Sequence, residues 1–344
     1  MTPNDATRAP LGEPAAQGLL LGGESVHFGY GAASRWARRW AWASLVSQML
    51  IVVTGAFVRV TASGLGCPTW PECMPGSYTP VTVPETVYHA WVEFGNRLLT
   101  FAVALTAVGA LASYLLARRR RHFVTGILSR RSGIFLAASA LIGTFAQAVV
   151  GGVSVLTGLS PTWVAAHFLL SALILIAQTR FVSAYDEIVH HRLEVASPDE
   201  RTSLNWLRGK QWLPVTMCIT AGLTVAFGTV VTGSGPHAGD VNVTERFPID
   251  PRLATVIHSA CAALLVAFTV YAVSRLRNIP QKVRPALVVV MALELGQGLV
   301  GYAQYQSGLP PLMVVLHVAL AVCVWVGCLR VTWRWRDATR AFTG

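Results

Sequence analysis

Residues 147–167 read QAVVGGVSVLTGLSPTWVAAH, and residues 297–317 read QGLVGYAQYQSGLPPLMVVLH. The residues shared at a constant offset of 150 positions include Gln147, Gly151, Gly158, Leu159, Pro161 and His167, which recur as Gln297, Gly301, Gly308, Leu309, Pro311 and His317. A constant offset indicates a duplicated unit. In both copies the histidine falls about one and a half turns after a proline that opens an apolar helix. The sequence therefore predicts a paired site carried on helices.

The composition indicates an integral membrane protein. Charged residues make up 12% of the chain and apolar residues 53%, whereas soluble domains carry about 25% charged residues. Eight apolar stretches approach the ~20 residues that cross a bilayer. They cover residues 40–60, 86–117, 133–153, 162–184, 212–233, 252–274, 285–305 and 312–333. We therefore expect an all-α polytopic protein with eight transmembrane helices in contact with the lipid bilayer.

The arginines predict the orientation of these helices, because basic residues near helix ends are retained on the cytoplasmic side. Basic residues cluster before the first helix, between the second and third, between the sixth and seventh, and after the eighth. The opposite connections are nearly free of basic residues, since residues 62–84, 154–161 and 306–311 contain no lysine or arginine. We expect both termini to be cytoplasmic and the protein to lie in the cell membrane. The same bias accounts for the net charge of +11, so we infer no nucleic-acid partner from it.

The chain divides into two halves of four predicted helices. The N-terminal half covers residues 39–184 and the C-terminal half residues 212–335, and residues 185–211 form a cytoplasmic linker of mixed charge. Residues 1–38 are expected to form a flexible cytoplasmic tail, and residues 336–344 a second, short one. Because each half holds an even number of helices, we expect two tandem four-helix bundles related by a pseudo-twofold axis along the membrane normal.

His258 and His317 fall at similar depth, about seven and six residues from the outer ends of the sixth and eighth predicted helices. At 1.5 Å per residue, both lie ~10 Å below the outer surface. Two imidazoles on neighbouring helices can ligate a haem iron from opposite faces, and the lack of a Cys-x-x-Cys-His sequence favours a b-type haem. The alternative is that each histidine hydrogen-bonds a neighbouring helix. The cost of ionisable groups inside a membrane favours ligation.

The second predicted helix carries polar side chains on one face. His89, Glu93 and Asn96 share that face because they are spaced by four and three residues. Glu93 and Arg97 form either an ion pair that compensates for their burial or part of a reaction site. Asn96 occupies the position that matches His258 in the other half, so the two halves are not chemically equal.

Three segments resemble the haem A synthase family. They read RVTASGLGCPTWPEC over residues 59–73, EFGNR over residues 93–97 and TGSGPHAGD over residues 232–240. The likeness extends over residues 40–330 with the three helix-borne histidines in register, and it is specific only when the motifs are taken together. The family pattern has Glu-x-x-His-Arg on the second helix. This chain resembles an actinobacterial-like variant of the family with Asn96 in place of that histidine.

The resemblance implies a membrane oxidoreductase that converts the C8 methyl of haem O to a formyl group by successive hydroxylations and so supplies haem A to terminal oxidases. It implies a haem b cofactor held by His258 and His317 in the C-terminal half. It places the substrate haem in the N-terminal half, with Glu93 as the catalytic carboxylate. A haem O synthase is an implied upstream partner, and the sequence does not identify the electron donor.

This chain departs from the family pattern at the expected ligand of the substrate iron, because Asn96 is a poor iron ligand. We expect His167 to hold that iron alone or with water, which leaves the open or weak position that oxygen chemistry requires. The alternative is that His89 takes the vacant side. Arg59 and Arg97 are expected to bind haem propionates through bidentate bonds, or else to snorkel towards the interface.

Two further pairs are candidates for function. Cys67 and Cys73 lie in the first external connection, where an oxidising compartment favours a disulfide of structural or redox-active role. On the seventh predicted helix, Glu294 and Gln297 are one turn apart. We interpret them first as an interhelical hydrogen-bond pair and second as a proton-relay candidate.

Two other functions compete with haem A synthesis. A dihaem b-type electron-transfer protein uses the same histidines. Electron transfer between two haems favours strong axial ligands at both sites, however, and Asn96 does not provide one. A haem transporter uses pseudo-symmetry for alternating access, and Glu93 then becomes a coupling residue.

Overall fold

The computed structural model describes residues 20–21, 24–25, 32–81, 87–119, 130–190 and 198–340. Within these residues the chain is almost entirely helical. The helices are α1 (Ala32–Val60), α2 (Val87–Arg119), α3 (Arg130–Leu156), α4 (Pro161–His190), α5 (Pro198–Gly209), α6 (Trp212–Ser234), α7 (Pro251–Ser274), α8 (Arg284–Gln306) and α9 (Pro311–Arg340). A 3-10 turn at Leu276–Asn278 and a two-residue strand pair, β1 (Leu20–Leu21) with β2 (Glu24–Ser25), complete the elements.

Eight of these helices, all except α5, are long and apolar enough to cross a membrane. The prediction of an all-α, multi-pass membrane protein is therefore confirmed, and the predicted fifth to eighth spans correspond to α6–α9. Large apolar side chains remain exposed on the outward faces, for example Phe101 and Phe145 at 74% each. Such faces are suited to contact with lipid, because the hydrocarbon core of a bilayer is itself apolar.

The two halves meet through a central group of helices. α1 and α4 of the N-terminal half pack against α6 and α9 of the C-terminal half. α2 packs on α1 and α3, and α7 packs on α6 and α8. Gly109 of α2 faces the indole of Trp40 on α1, and Gly143 of α3 faces Ile174 on α4, so small residues allow close helix packing in the N-terminal half.

An ion-pair network ties the halves together at the arginine-rich end. Asp186, at the end of α4, accepts hydrogen bonds from Arg38 of α1 at 2.9 Å and Arg330 of α9 at 2.8 Å. Arg180 of α4 pairs with Asp337 of α9 at 2.5 Å. The bonds from Arg330 to Asp186 and from Arg180 to Asp337 cross from one half to the other, whereas the bond from Arg38 to Asp186 joins two helices of the N-terminal half. Charged side chains that the sequence placed at helix ends therefore contribute to the assembly of the bundle.

The predicted boundaries shift where helices extend beyond the apolar stretches. α1 begins at Ala32, so residues 32–38 of the predicted tail are helical, and most of the rest of that tail lies outside the described residues. α4 continues to His190 and α5 adds a further helix, so the predicted linker of residues 185–211 is helical in both of its described parts. Trp335 anchors α5 by donating to the carbonyl of Leu207 at 3.1 Å.

The duplicated sequence has a duplicated backbone conformation. Gly158 and Leu159 have φ values of 63° and 59°, and Gly308 and Leu309 have φ values of 74° and 62°. A leucine in the left-handed region is uncommon and costs conformational energy. Both copies therefore reverse the chain with the same strained turn, which places each following proline at the first position of a helix.

Candidate functional site

The rings of His258 and His317 lie close together in the C-terminal half, in an edge-to-face arrangement with an interplanar angle of 63°. His258 is the eighth residue of α7 and His317 the seventh residue of α9, so each lies ~10 Å from the start of its helix. Asp250 fixes the start of α7, because its side chain accepts hydrogen bonds from the backbone N–H groups of Arg252 and Leu253. The ring centroids of the two histidines are 6.3 Å apart.

The hydrogen bonds of His258 define its free nitrogen. Its Nδ1 lies 2.9 Å from the carbonyl oxygen of Thr224 on α6. A carbonyl only accepts, so Nδ1 carries the proton and Nε2 keeps its lone pair for a ligand. Metal-ligating histidines commonly have their second nitrogen bonded in this way.

His317 is held from the preceding helix. Its Nε2 lies 3.1 Å from Nε2 of Gln297 on α8, and its buried Nδ1 has no partner among the described residues. The Oε1 atom of Gln297 is likewise buried without a partner there. The ring therefore keeps a nitrogen that no described protein group satisfies.

Glycines make room for the histidine rings on the facing helices. An added Cβ would lie 3.2 Å from Cε1 of His258 at Gly228, and 2.9 Å from Cε1 of His317 at Gly301. In the N-terminal half, a Cβ at Gly151 would lie 3.0 Å from Cε1 of His167. The duplicated glycine and histidine thus pack against each other in both halves.

The His258–His317 pair fits a ligand set for haem iron. Imidazole nitrogens bind metal ions at about 2 Å, so the centres of two rings on opposite sides of one ion lie about 6 Å apart. The observed separation of 6.3 Å agrees with that value. The free Nε2 of His258 and the unpartnered Nδ1 of His317 are consistent with coordination chemistry, although the contact with Gln297 occupies the other nitrogen of His317.

Glu93 and Arg97 form an ion pair on α2. Arg97 Nη2 lies 2.7 Å from Glu93 Oε1, and the Glu93 side chain is 7% exposed. Arg97 also donates to the carbonyl oxygens of Cys67, Thr69 and Glu72 at 2.8–3.1 Å. Its five N–H groups are therefore all directed at protein acceptors.

The ion pair holds the disulfide loop against α2. Cys67 and Cys73 form the predicted disulfide, and both are buried. The backbone N–H of Cys67 donates to Glu93 Oε2 at 2.7 Å. The structure thus shows the ion pair that the sequence left as one of two interpretations, and it adds a contact with the loop that spacing along α2 did not indicate.

The remaining predicted residues of the N-terminal half, His167, Asn96 and His89, share no hydrogen bond with one another in the described part of the chain. His167, on α4, has a buried Nδ1 without a partner among the described residues. Asn96 Oδ1 accepts from Thr54 of α1 at 2.7 Å, and His89 Nδ1 lies 3.0 Å from the hydroxyl of Ser63. The described contacts tie Asn96 and His89 to α1 and its following turn.

Arg59 connects the two halves at the loop end of the bundle, a role that the sequence did not indicate. Its Nε donates to the carbonyl of His237 at 2.7 Å and its Nη2 to the carbonyl of Thr232 at 3.1 Å. His237 Nε2 in turn lies 3.0 Å from the carbonyl of Leu309. The sequence carried one signal for a contact in this region, because residues 61–64 (TASG) resemble residues 232–235 (TGSG). The backbone N–H of Gly64 also donates across the halves, to the carbonyl oxygen of Gly239.

One family model matches more than half of the chain. The model of the COX15-CtaA family, described as cytochrome oxidase assembly protein, matches residues 38–241. A protoheme IX farnesyltransferase of Thermus thermophilus is 26% identical over 309 residues, which cover 85% of this chain and 47% of the relative. The chain thus spans about half the length of that relative.

Shorter matches are found with proteins named heme A synthase. The protein of Lysinibacillus sphaericus is 33% identical over 129 residues, 38% of each chain. That of Geobacillus kaustophilus is 35% identical over 77 residues, 22% of each chain.

Proposed function

Because this chain belongs to the COX15-CtaA family of cytochrome oxidase assembly proteins, we propose that it is a haem A synthase. Its reaction is the oxidation of the C8 methyl of haem O to a formyl group. Each of two hydroxylations replaces one C–H bond of the methyl carbon by a C–OH bond, with the oxygen atom and the two-electron oxidant supplied from outside the chain. The resulting geminal diol loses water to leave the aldehyde. The relatives named heme A synthase support this assignment.

The observation that carries the proposal is the facing pair of His258 and His317, 6.3 Å apart at the ring centroids. These residues hold a haem b in the C-terminal half, and the bound haem supplies a one-electron carrier. The protein orients His258 through Thr224 and His317 through Gln297. Gly228 and Gly301 admit the two rings without a clash.

The N-terminal half receives haem O as the substrate. His167 provides a nitrogen for the substrate iron, and Asn96, tied to Thr54, leaves the other side open or weakly held. Glu93 is the catalytic carboxylate. Its Oε2 exchanges a proton with the hydroxyl group that forms on the methyl carbon, while Arg97 holds Oε1 in place.

The two arginines have different roles in this proposal. Arg97 is a positioning residue, because its five N–H groups already bind Glu93 and the disulfide loop, and a propionate would have to displace one of them. Arg59 has an Nη1 group without an acceptor among the described residues, so it is the better partner for a propionate.

The proposal also fixes the setting of the enzyme. The N-terminal half is the substrate unit and the C-terminal half the haem b unit, with both termini on the cytoplasmic side of the cell membrane, as the arginine bias predicts. The enzyme that makes haem O is the proposed upstream partner, and the relative named protoheme IX farnesyltransferase supports a link with haem farnesylation.

Expression in a host that makes haem O but lacks haem A synthase tests this function. Extracted cellular haems are separated and identified by mass. The wild-type chain is expected to produce haem A, and the His167→Ala variant, purified at a similar level, is expected to leave haem O unconverted. Haem O alone in cells that contain folded wild-type protein would contradict the proposal.

A further inference from the structure

Glu294 is a buried carboxyl group in the middle of a membrane-spanning helix. It is 5% exposed, and it lies near the centre of α8, about 15 Å from the start of the helix and about 18 Å from its end at 1.5 Å per residue. Ionisable side chains at such depth are costly and mark proton or ion chemistry more often than packing. The reaction proposed above does not use Glu294.

One oxygen of Glu294 has a partner among the described residues and the other does not. Thr269 of α7 donates from its hydroxyl to Glu294 Oε1 at 2.9 Å. Glu294 Oε2 is buried without a partner. Only one of the two carboxyl oxygens of Glu294 therefore has a hydrogen-bond partner in the described part of the chain.

Another buried polar side chain lies one turn further along α8. Gln297 lies three residues further along α8, on the same face as Glu294, and its Oε1 is a second buried acceptor without a described donor. Its amide nitrogen contacts His317 Nε2 at 3.1 Å. A protonated carboxyl group provides one O–H donor. A proton on Glu294 therefore adds a donor one turn from this unpartnered acceptor.

The other half of the chain lacks this carboxyl group. The duplication offset of 150 residues places Thr144 at the position of Glu294, while the glutamine one turn later is present in both copies. Thr144 accepts a hydrogen bond from Gln48 at 3.0 Å, so it forms an ordinary contact between helices. The ionisable group is thus specific to the half that contains the His258–His317 pair.

The groups around Glu294 do not include a compensating cation within the described residues. From α7 it accepts a hydrogen bond from the hydroxyl of Thr269. The buried thiol of Cys328 on α9 and the thiol of Cys218 on α6 are the titratable groups nearby. No ion pair to Glu294 is present in the described part of the chain. A proton is therefore the cation that this site can accept.

We infer that Glu294 binds a proton that accompanies an electron to the His258–His317 site, acting through Gln297 as a positioning residue for His317. The inference rests on the proposed haem b. For each electron that a one-electron reductant delivers to the ferric iron, Glu294 Oε2 gains one proton from water and the iron becomes ferrous. The proton offsets the added negative charge in a medium of low dielectric constant.

Spectroelectrochemical titration of the purified protein at several pH values tests this inference. The midpoint potential of the wild-type haem b is expected to fall by up to about 59 mV per pH unit, the value for a tenfold change in a one-electron equilibrium. Glu294→Gln removes the titrating group and keeps its size, so the potential is expected to be independent of pH. Glu294→Thr, which introduces the residue found at the matching position, is expected to behave in the same way.

The matched control is Glu93→Gln, which removes the buried carboxylate of the other half and is expected to retain the wild-type slope. Equal slopes in wild type and both Glu294 variants, a flat wild-type profile, or a wild-type protein without b-type haem would overturn the inference. If the protein converts haem O but the midpoint potentials of wild type and the Glu294 variants change equally with pH, only this inference is overturned. If the potential depends on pH in wild type alone and no haem A forms, the proposed function is contradicted instead.

Discussion

Glu93 of α2 accepts a hydrogen bond from the backbone N–H of Cys67 at 2.7 Å. The carboxylate proposed for catalysis is therefore in direct contact with the disulfide loop. Its second oxygen pairs with Arg97, which in turn binds three carbonyl groups of the same loop. Removing the carboxylate affects both the loop and Arg97, because an arginine left without its partner in a buried site is costly.

Replacing Glu93 with glutamine is expected to lower haem A formation by about 100-fold or more, the contribution typical of a positioned acid or base. The measurement is the ratio of haem A to haem O in cells that express equal amounts of protein. Glu72→Gln is the matched control, since Glu72 is a carboxylate of the same loop that contacts Gly76. Normal haem A formation by the Glu93 variant would remove Glu93 from the mechanism.

Loss of the disulfide is expected to destabilise the protein. A double Cys67→Ala, Cys73→Ala variant should lose about 2 kcal/mol, at the lower end of the range because the loop is short. Thermal unfolding in detergent, followed by circular dichroism, measures the difference. Cys261→Ala removes a free, half-buried thiol and should leave the midpoint close to that of wild type. Equal stability of the double variant would show that Arg97 alone holds the loop.

The ion pairs of Asp186 predict unequal effects for its two partners, Arg330 of the other half and Arg38 of the same half. Arg330 is 17% exposed and Arg38 39% exposed. Arg330→Gln is expected to cost about 2–3 kcal/mol, since a partly buried pair is broken, whereas Arg38→Gln should cost about 1 kcal/mol or less because solvent screens the pair. Chemical unfolding of the purified variants compares the two, and the reverse order would contradict this description of the interface.

The glycine contacts of the histidines predict a graded effect on haem binding. Gly301→Ala brings a methyl group to 2.9 Å from His317 Cε1, and overpacking of this kind costs about 1–3 kcal/mol. We expect haem b to be retained about tenfold more weakly, with a smaller effect for Gly228→Ala, where the distance is 3.2 Å. Gly296→Ala is the control, because its added methyl group meets no atom within 4 Å. The haem absorption per protein after extended washing measures the outcome, and equal retention by all three variants would argue against these contacts.

The sequence predicted the features that follow from hydropathy and repetition. Eight apolar stretches identified the eight membrane helices, because a bilayer demands a continuous apolar length. The distances from the outer ends of the predicted helices placed His258 and His317 at similar depth, and the structure brings their rings together. The cysteine pair was likewise visible from its position in a loop.

Contacts to the backbone were not predictable in the same way. Arg59 binds the carbonyl of His237, and Arg97 binds three loop carbonyls. Every residue has a carbonyl group, so such partners leave no mark in the composition or spacing of the chain. The packing of Gly228 against His258 was missed for a related reason: it depends on the rotation of α6 relative to α7, which a stretch as uniformly apolar as α6 does not specify.

The haem content of the wild-type protein tests the central claim most directly. The protein is purified from cells that supply haem O, and its bound haems are extracted and identified by mass. We predict haem b together with haem O, its hydroxylated form or haem A, because the two halves carry different ligand sets. Two equivalents of haem b alone would contradict the assignment as a haem A synthase and would indicate a dihaem electron-transfer protein.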